Sequence, residues 1–118
     1  MTKVHARKTL VLGSILALLL AIAAPAFAQL VRSSRVAAFG VDTWRFWLGG
    51  GYHRLVVNGD HSTDLDCFVY DRNGTFLGAD DDETDMCIVD FRTAMSGTVI
   101  VRIENHGSVY NDYQLVIR

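Results

Sequence analysis

From residue 43 onward, apolar and polar positions alternate with a period of two. Trp44, Phe46 and Leu48 interleave with Thr43, Arg45 and Trp47. His53, Leu55 and Val57 follow, then Leu65, Cys67 and Val69 between Asp64, Asp66, Phe68 and Tyr70. Cys87, Val89 and Phe91 repeat the pattern, as do Val99, Val101 and Ile103, and finally Tyr113, Leu115 and Ile117. A period of two places one set of side chains on a buried sheet face and the other on a wet face. The breaks fall at turn-forming residues: Gly49-Gly50-Gly51, Asn58-Gly59-Asp60, Asp71-Arg72-Asn73-Gly74, Ser96-Gly97 and Asn105-His106-Gly107-Ser108. Thr75–Leu77 reads as a short strand, Asp80–Asp85 as an acidic loop and Val31–Phe39 as an edge strand. No segment after residue 28 keeps a helical period over three turns. Seven to eight short strands at this spacing predict an all-β, antiparallel, jelly-roll-like β-sandwich.

The first 28 residues follow another rule. Lys3, Arg7 and Lys8 precede an apolar run from Leu10 to Ala24, and Ala26-Phe27-Ala28 follows Pro25. A positive start, an apolar centre and a small-x-small ending describe a secretory signal, with its helix at the N-terminus and cleavage after Ala28. The run is shorter than the roughly 20 residues a membrane span needs. The expected domain layout is thus a signal peptide over 1–28 and a β-sandwich domain over 29–118. The expected location is the bacterial periplasm or the outside medium, without a membrane partner once the signal is removed.

Composition changes the picture only after that subtraction. The whole chain carries a formal charge of −2, but all 13 carboxylates and only 8 of the 11 basic residues lie beyond residue 28, so the remainder stands at −5. A small acidic domain without clustered cations is unsuited to nucleic acid. The two cysteines, Cys67 and Cys87, sit at inward positions of their strands. In an oxidising compartment the expected state is a disulfide between them, the alternative being two buried free thiols.

The order of several segments resembles the bacterial pre-peptidase C-terminal domain, a β-sandwich module of secreted proteases. The resemblance rests on Trp44-Arg45-Phe46-Trp47-Leu48 with Gly49-Gly50-Gly51-Tyr52, on Thr63 to Asp71 with the Asn73-Gly74 turn, and on Asp80-Asp81-Asp82. Ser96-Gly97-Thr98-Val99 and Tyr113 to Ile117 complete it. Cys67 stands where that family usually has Leu. The resemblance implies a sandwich, secretion, and a binding or stabilising role.

Chemistry concentrates in two places. Asp80, Asp81 and Asp82, with Asp64 and Asp66 on a strand ending near that loop, offer the hard oxygen donors calcium takes, although the EF-hand spacing fails because Asp85 stands where its Gly is required. The competing reading is a solvated acidic loop. Trp47, Phe68 and Tyr70 fall on outward positions and form a candidate binding surface for a glycan or a protein. His61 and His106 read as solvated turn residues, and His53 as a core-edge histidine. No nucleophile relay, metal-spaced histidine pair or phosphate loop is present, so no enzyme is expected. Two function classes follow. The first is a non-enzymatic exported binding or stabilising module that takes calcium in one version. The second is a periplasmic inhibitor or protector docking onto a basic enzyme such as a hydrolase.

Overall fold

The structure, a computed structural model, describes residues 29–118. The expected signal segment and its expected cleavage point lie outside these residues. Eight strands follow one another: β1 Leu30–Val36, β2 Val41–Leu48, β3 Gly51–Asn58, β4 Leu65–Asp71, β5 Phe76–Asp80, β6 Met86–Thr93, β7 Gly97–Asn105 and β8 Asn111–Ile117. They form two four-stranded antiparallel sheets, β1-β8-β3-β6 and β2-β7-β4-β5. This is a jelly-roll sandwich, because every connection except β4–β5 carries the chain from one sheet to the other. The β4–β5 hairpin has the expected Asn-Gly turn. Gly74 takes a φ of 83°, and Asp71 Oδ1 accepts the N–H groups of Asn73 and Thr75 at 2.8 and 2.9 Å.

The alternation read from the sequence is the packing of the core. Phe46, Leu48, Leu55, Val57, Leu65, Val69, Val89, Phe91, Val99, Val101, Ile103, Tyr113, Leu115 and Ile117 are all buried between the sheets. Cys67 on β4 and Cys87 on β6 are wholly buried and joined, with Cα atoms 6.2 Å apart, so one covalent link ties the two sheets. A polar link does the same near the β1–β2 side. The Trp44 indole N–H donates to the Tyr113 hydroxyl at 2.7 Å, and that hydroxyl donates to Asp42 Oδ2 at 2.6 Å. Burial and this donation to a carboxylate together push the Tyr113 phenol well above its ordinary value.

Some boundaries differ from the sequence reading. The N-terminal edge strand stops at Val36, because Ala37–Gly40 forms a tight turn closed by the Gly40 N–H on the Ala37 carbonyl. The fifth strand starts at Phe76 and reaches Asp80, since its pairing with β4 extends to Cys67↔Asp80. His53 is the core-edge residue expected: its ring stacks on Phe91, and Nε2 lies 2.8 Å from the Gly49 carbonyl oxygen.

Candidate functional site

The jelly roll sorts the connections between its two ends. Turns 37–40, 59–64, 81–85 and 106–110 gather at one end, and 49–50, 72–75 and 94–96 at the other. Charge is sorted with them. Of the 13 carboxylates, only Asp71 and Asp90 lie away from the first end. That end is therefore an acidic rim.

Part of the rim is structural. Asn111, fully buried at the start of β8, accepts the Asp60 N–H at 3.0 Å and donates to Thr63 Oγ1 and Asp85 Oδ2 at 3.0 and 3.2 Å. Asp85 also accepts the His61 N–H at 2.5 Å, while Asp60 accepts the Asp112 N–H at 2.9 Å. His61 is held at a φ of 69°, a left-handed conformation costly outside glycine. Gly59 must be glycine, because a Cβ there would collide with the Asp85 carboxylate and the Asn111 amide oxygen. Asp85 is thus not part of a solvated loop: it is 6% exposed and fastens two connections to each other.

The expected cation ligands divide into groups. Asp80 Oδ2 accepts the Ile88 N–H at 2.9 Å, and Asp82 Oδ1 accepts the N–H and hydroxyl of Thr84 at 2.9 and 2.8 Å. These contacts hold Asp82 below the ordinary carboxylate value. Asp81 is exposed at the loop tip. Asp64 and Asp66 are half-buried, and burial raises both above the ordinary value; the charge of Asp64 adds to the effect at Asp66, the loop carboxylates add to it at both, and His106 opposes it. Asp64 Oδ1 and Asp66 Oδ1 are shut off from solvent and have no hydrogen-bond partner.

Beside Asp66 stand two residues that sequence reasoning missed. The β4–β7 register pairs Asp66 with Glu104 on the outer face of the sheet. His106, two residues further, folds back so that Nε2 lies 2.8 Å from Asp66 Oδ2 and 3.5 Å from Glu104 Oε1. Glu104 Oε2 is itself held by Arg102 Nε at 2.7 Å. His106 is therefore a paired residue rather than a solvated turn residue. The only sequence signal was that Glu104 and His106 share the outward parity; their meeting with Asp66 required knowledge of which strands pair.

The second candidate surface is the outer face of β2-β7-β4-β5. Trp47 is 71% exposed and Phe76 58%, while Phe68, Tyr70 and Ile100 are half-buried on the same face. In register, Arg45, Ile100 and Tyr70 form one row and Thr43, Arg102, Phe68 and Ala79 the next. The Tyr70 and Phe76 rings meet edge to face, 6.0 Å between centroids. All three aromatics expected to point outward do so, and Phe76 joins them because β5 lies alongside β4.

Comparison with known proteins adds the fold. No protein-family model and no curated protein matches this sequence. Solved structures do match. The pre-peptidase C-terminal domain of a collagenase from Bacillus anthracis superposes with a TM-score of 0.60 at 10% identity, covering 75% of this chain and 90% of that one. PliG of Aeromonas hydrophila, a periplasmic inhibitor of g-type lysozyme, gives 0.57 at 11% identity, covering 79% and 90%. The Yersinia pseudotuberculosis-derived mitogen gives 0.57 at 15%, covering 76% and 84%. At these identities the likeness is one of fold. The fold resemblance read from the sequence is thereby met, and the disulfide fits an oxidising periplasmic or extracellular setting. Among the described residues no helix is long and apolar enough to cross a membrane.

Proposed function

We propose that this chain is an exported, non-enzymatic recognition module that binds a protein or glycan of the periplasm or the outside medium through the outer face of β2-β7-β4-β5. The observation that carries the reading is Trp47, with 71% of its surface in solvent, on the same face as Phe68, Tyr70 and Phe76 across strand β7. A large ring held on a rigid strand presents apolar area at low entropic cost, which suits a sugar ring or a flat protein surface. Two further points support it. The fold is also that of a collagenase extension and of a lysozyme inhibitor, and Asp85, the most buried carboxylate of the acidic run, is committed to structural contacts. Calcium belongs to this proposal as a stabilising ligand at Asp64, Asp66, Asp80, Asp81 and Asp82; the two unpartnered carboxylate oxygens favour it, and a melting temperature unchanged at millimolar calcium would reject it.

The test compares wild-type protein with Trp47→Ala and Tyr70→Ala. Each is incubated with insoluble cell-wall polysaccharide and, separately, with native periplasmic extract, in calcium and in chelator. Each substitution is expected to weaken binding about tenfold or more, the size of an interface residue worth at least about 1.4 kcal/mol. Binding unaffected by both substitutions would remove this face from the reading.

The second reading, an inhibitor or protector of a basic enzyme, is favoured by the acidic rim. A charge-steered partner would lose association rate steeply between low and physiological salt, whereas stacking on Trp47 would not. Charge reversal at Asp81 and Asp82, both exposed, separates the two readings.

A further inference from the structure

Asp66, Glu104 and His106 place one donor atom each within 4.8 Å of one another at the lip of the acidic rim. Four atoms arranged tetrahedrally at zinc distances of about 2.0–2.1 Å stand about 3.4 Å apart. Here His106 Nε2 is 2.8 Å from Asp66 Oδ2 and 3.5 Å from Glu104 Oε1, so the donors already lie near that spacing.

Two features show that the group is more than a chance meeting of surface charges. The first is orientation. Arg102 holds Glu104 Oε2 at 2.7 Å and turns the other oxygen toward the imidazole, the kind of outer contact that fixes a ligating carboxylate. The His106 backbone N–H is tied to the Asp64 carbonyl at 3.0 Å, which anchors the imidazole's own backbone. The second is a deficit of donors. Asp66 Oδ1 and the neighbouring Asp64 Oδ1 are closed to solvent and accept no hydrogen bond, although Asp66 is only 15% exposed and a buried carboxylate oxygen normally finds a donor. Asp66 and Glu104 thus share a single imidazole, Arg102 answers only the far oxygen of Glu104, and a cation would answer the oxygens left without a donor.

The donor set also selects the cation. Calcium takes six to eight oxygen ligands, while an imidazole nitrogen with two carboxylates suits a borderline metal. We propose that Asp66, Glu104 and His106 form a zinc-class divalent metal site, with a fourth position open to solvent. The site is independent of the aromatic face, but it shares Asp66 and the unpartnered oxygens of Asp64 and Asp66 with the calcium part of the reading above, and the experiment is chosen to tell the two cations apart.

The test uses the protein as its native host produces it, purified without a histidine tag. Zinc is titrated while thermal unfolding is followed, and cobalt(II) is added to read the visible absorption of a low-coordinate site. At a free zinc concentration 100-fold above Kd, the melting temperature should rise by about 10–15 °C. His106→Ala and the near-isosteric Glu104→Gln should each weaken zinc at least tenfold and abolish the intense cobalt bands. Each variant's rise is measured against its own metal-free melting temperature, because His106→Ala also removes the partner of Asp66 Oδ2; Glu104→Gln keeps that contact and guards against a substitution that merely unfolds the protein. His61→Ala, at an exposed imidazole that pairs with Asp85 instead, should leave zinc binding unchanged. The proposal is overturned if zinc produces no rise, or if the rise is the same in His106→Ala and Glu104→Gln. It is also overturned if calcium raises the melting temperature while zinc is inert, which returns these carboxylates to the calcium reading.

Discussion

Breaking the Cys67–Cys87 link is the most quantitative perturbation the fold offers. The two cysteines are 20 residues apart in sequence and join β4 of one sheet to β6 of the other. Cross-linking a loop of that length removes about 11 cal/mol/K from the unfolded chain, or about 3.3 kcal/mol at 25 °C on the chain-entropy account. A 90-residue domain has a total stability of about 5–13 kcal/mol, so this one bond supplies between a quarter and two-thirds of it. Unfolding such a domain releases about 0.19 kcal/mol/K near its midpoint, and the same loss corresponds to a fall of about 17 °C in melting temperature. Reduction removes the link and leaves two thiols that still fill nearly the same volume. Cys67→Ala with Cys87→Ala also removes two wholly buried sulfurs and should cost about 1 kcal/mol more for each. Urea and thermal unfolding of the oxidised, reduced and double-alanine forms provide the comparison. The oxidised form should be the most stable and the double variant the least. A reduced protein melting within about 3 °C of the oxidised one would refute the reasoning, because it would mean that the unfolded chain is already held compact between β4 and β6.

Three further outcomes are expected. Tyr113→Phe leaves the Trp44 indole N–H and the Asp42 carboxylate without their shared partner and should cost about 1.5–3 kcal/mol in urea unfolding; a loss under about 0.5 kcal/mol would contradict the hydroxyl's bridging role. Gly59→Ala drives a methyl group into Asp85 and Asn111 and should cost at least about 2 kcal/mol, whereas Gly49→Ala, with open space around it, should be nearly neutral; equal effects would argue against the packed knot. Asp112 and Asp90 are held below the ordinary value of 3.8 by hydrogen bonds from Arg35 and Arg54, and Asp60 by the Asp112 N–H and the Ser62 hydroxyl. A depressed carboxylate stabilises the fold above its unfolded value, and that stability is lost as pH falls through the folded value. Stability should therefore decline below about pH 4, and Asp60→Asn should flatten that decline relative to wild type; parallel acid limbs would exclude Asp60 from it.

The buried half of this fold was legible because its signal is local. Every second residue from Trp44 to Leu48, Leu65 to Val69 and Cys87 to Phe91 faces inward in the structure, and two of those residues are the paired cysteines. The Asn73-Gly74 hairpin was legible for the same reason, since positive φ is a property of the residue itself. What could not be read is what depends on strand order. Asp66 and Glu104 are neighbours only because β4 lies beside β7, and Phe76 joins Trp47 and Tyr70 only because β5 closes that sheet. Asp85 looked like one more member of an acidic run; its burial comes from Asn111, which arrives from the far end of the sequence. Charge segregation was hidden likewise, because the jelly roll interleaves turns from distant segments at each end.

The β1–β8 pairing sets Leu30 opposite Ile117, so the two ends of the described segment lie side by side, away from the carboxylate-rich turns. A few added residues would bridge them and circularise the backbone, and a new opening at the exposed 72–75 turn would give a permuted domain with its interior unaltered. Attached to a solid support by either end, the domain would stand upright and offer its carboxylate crown to the bulk phase.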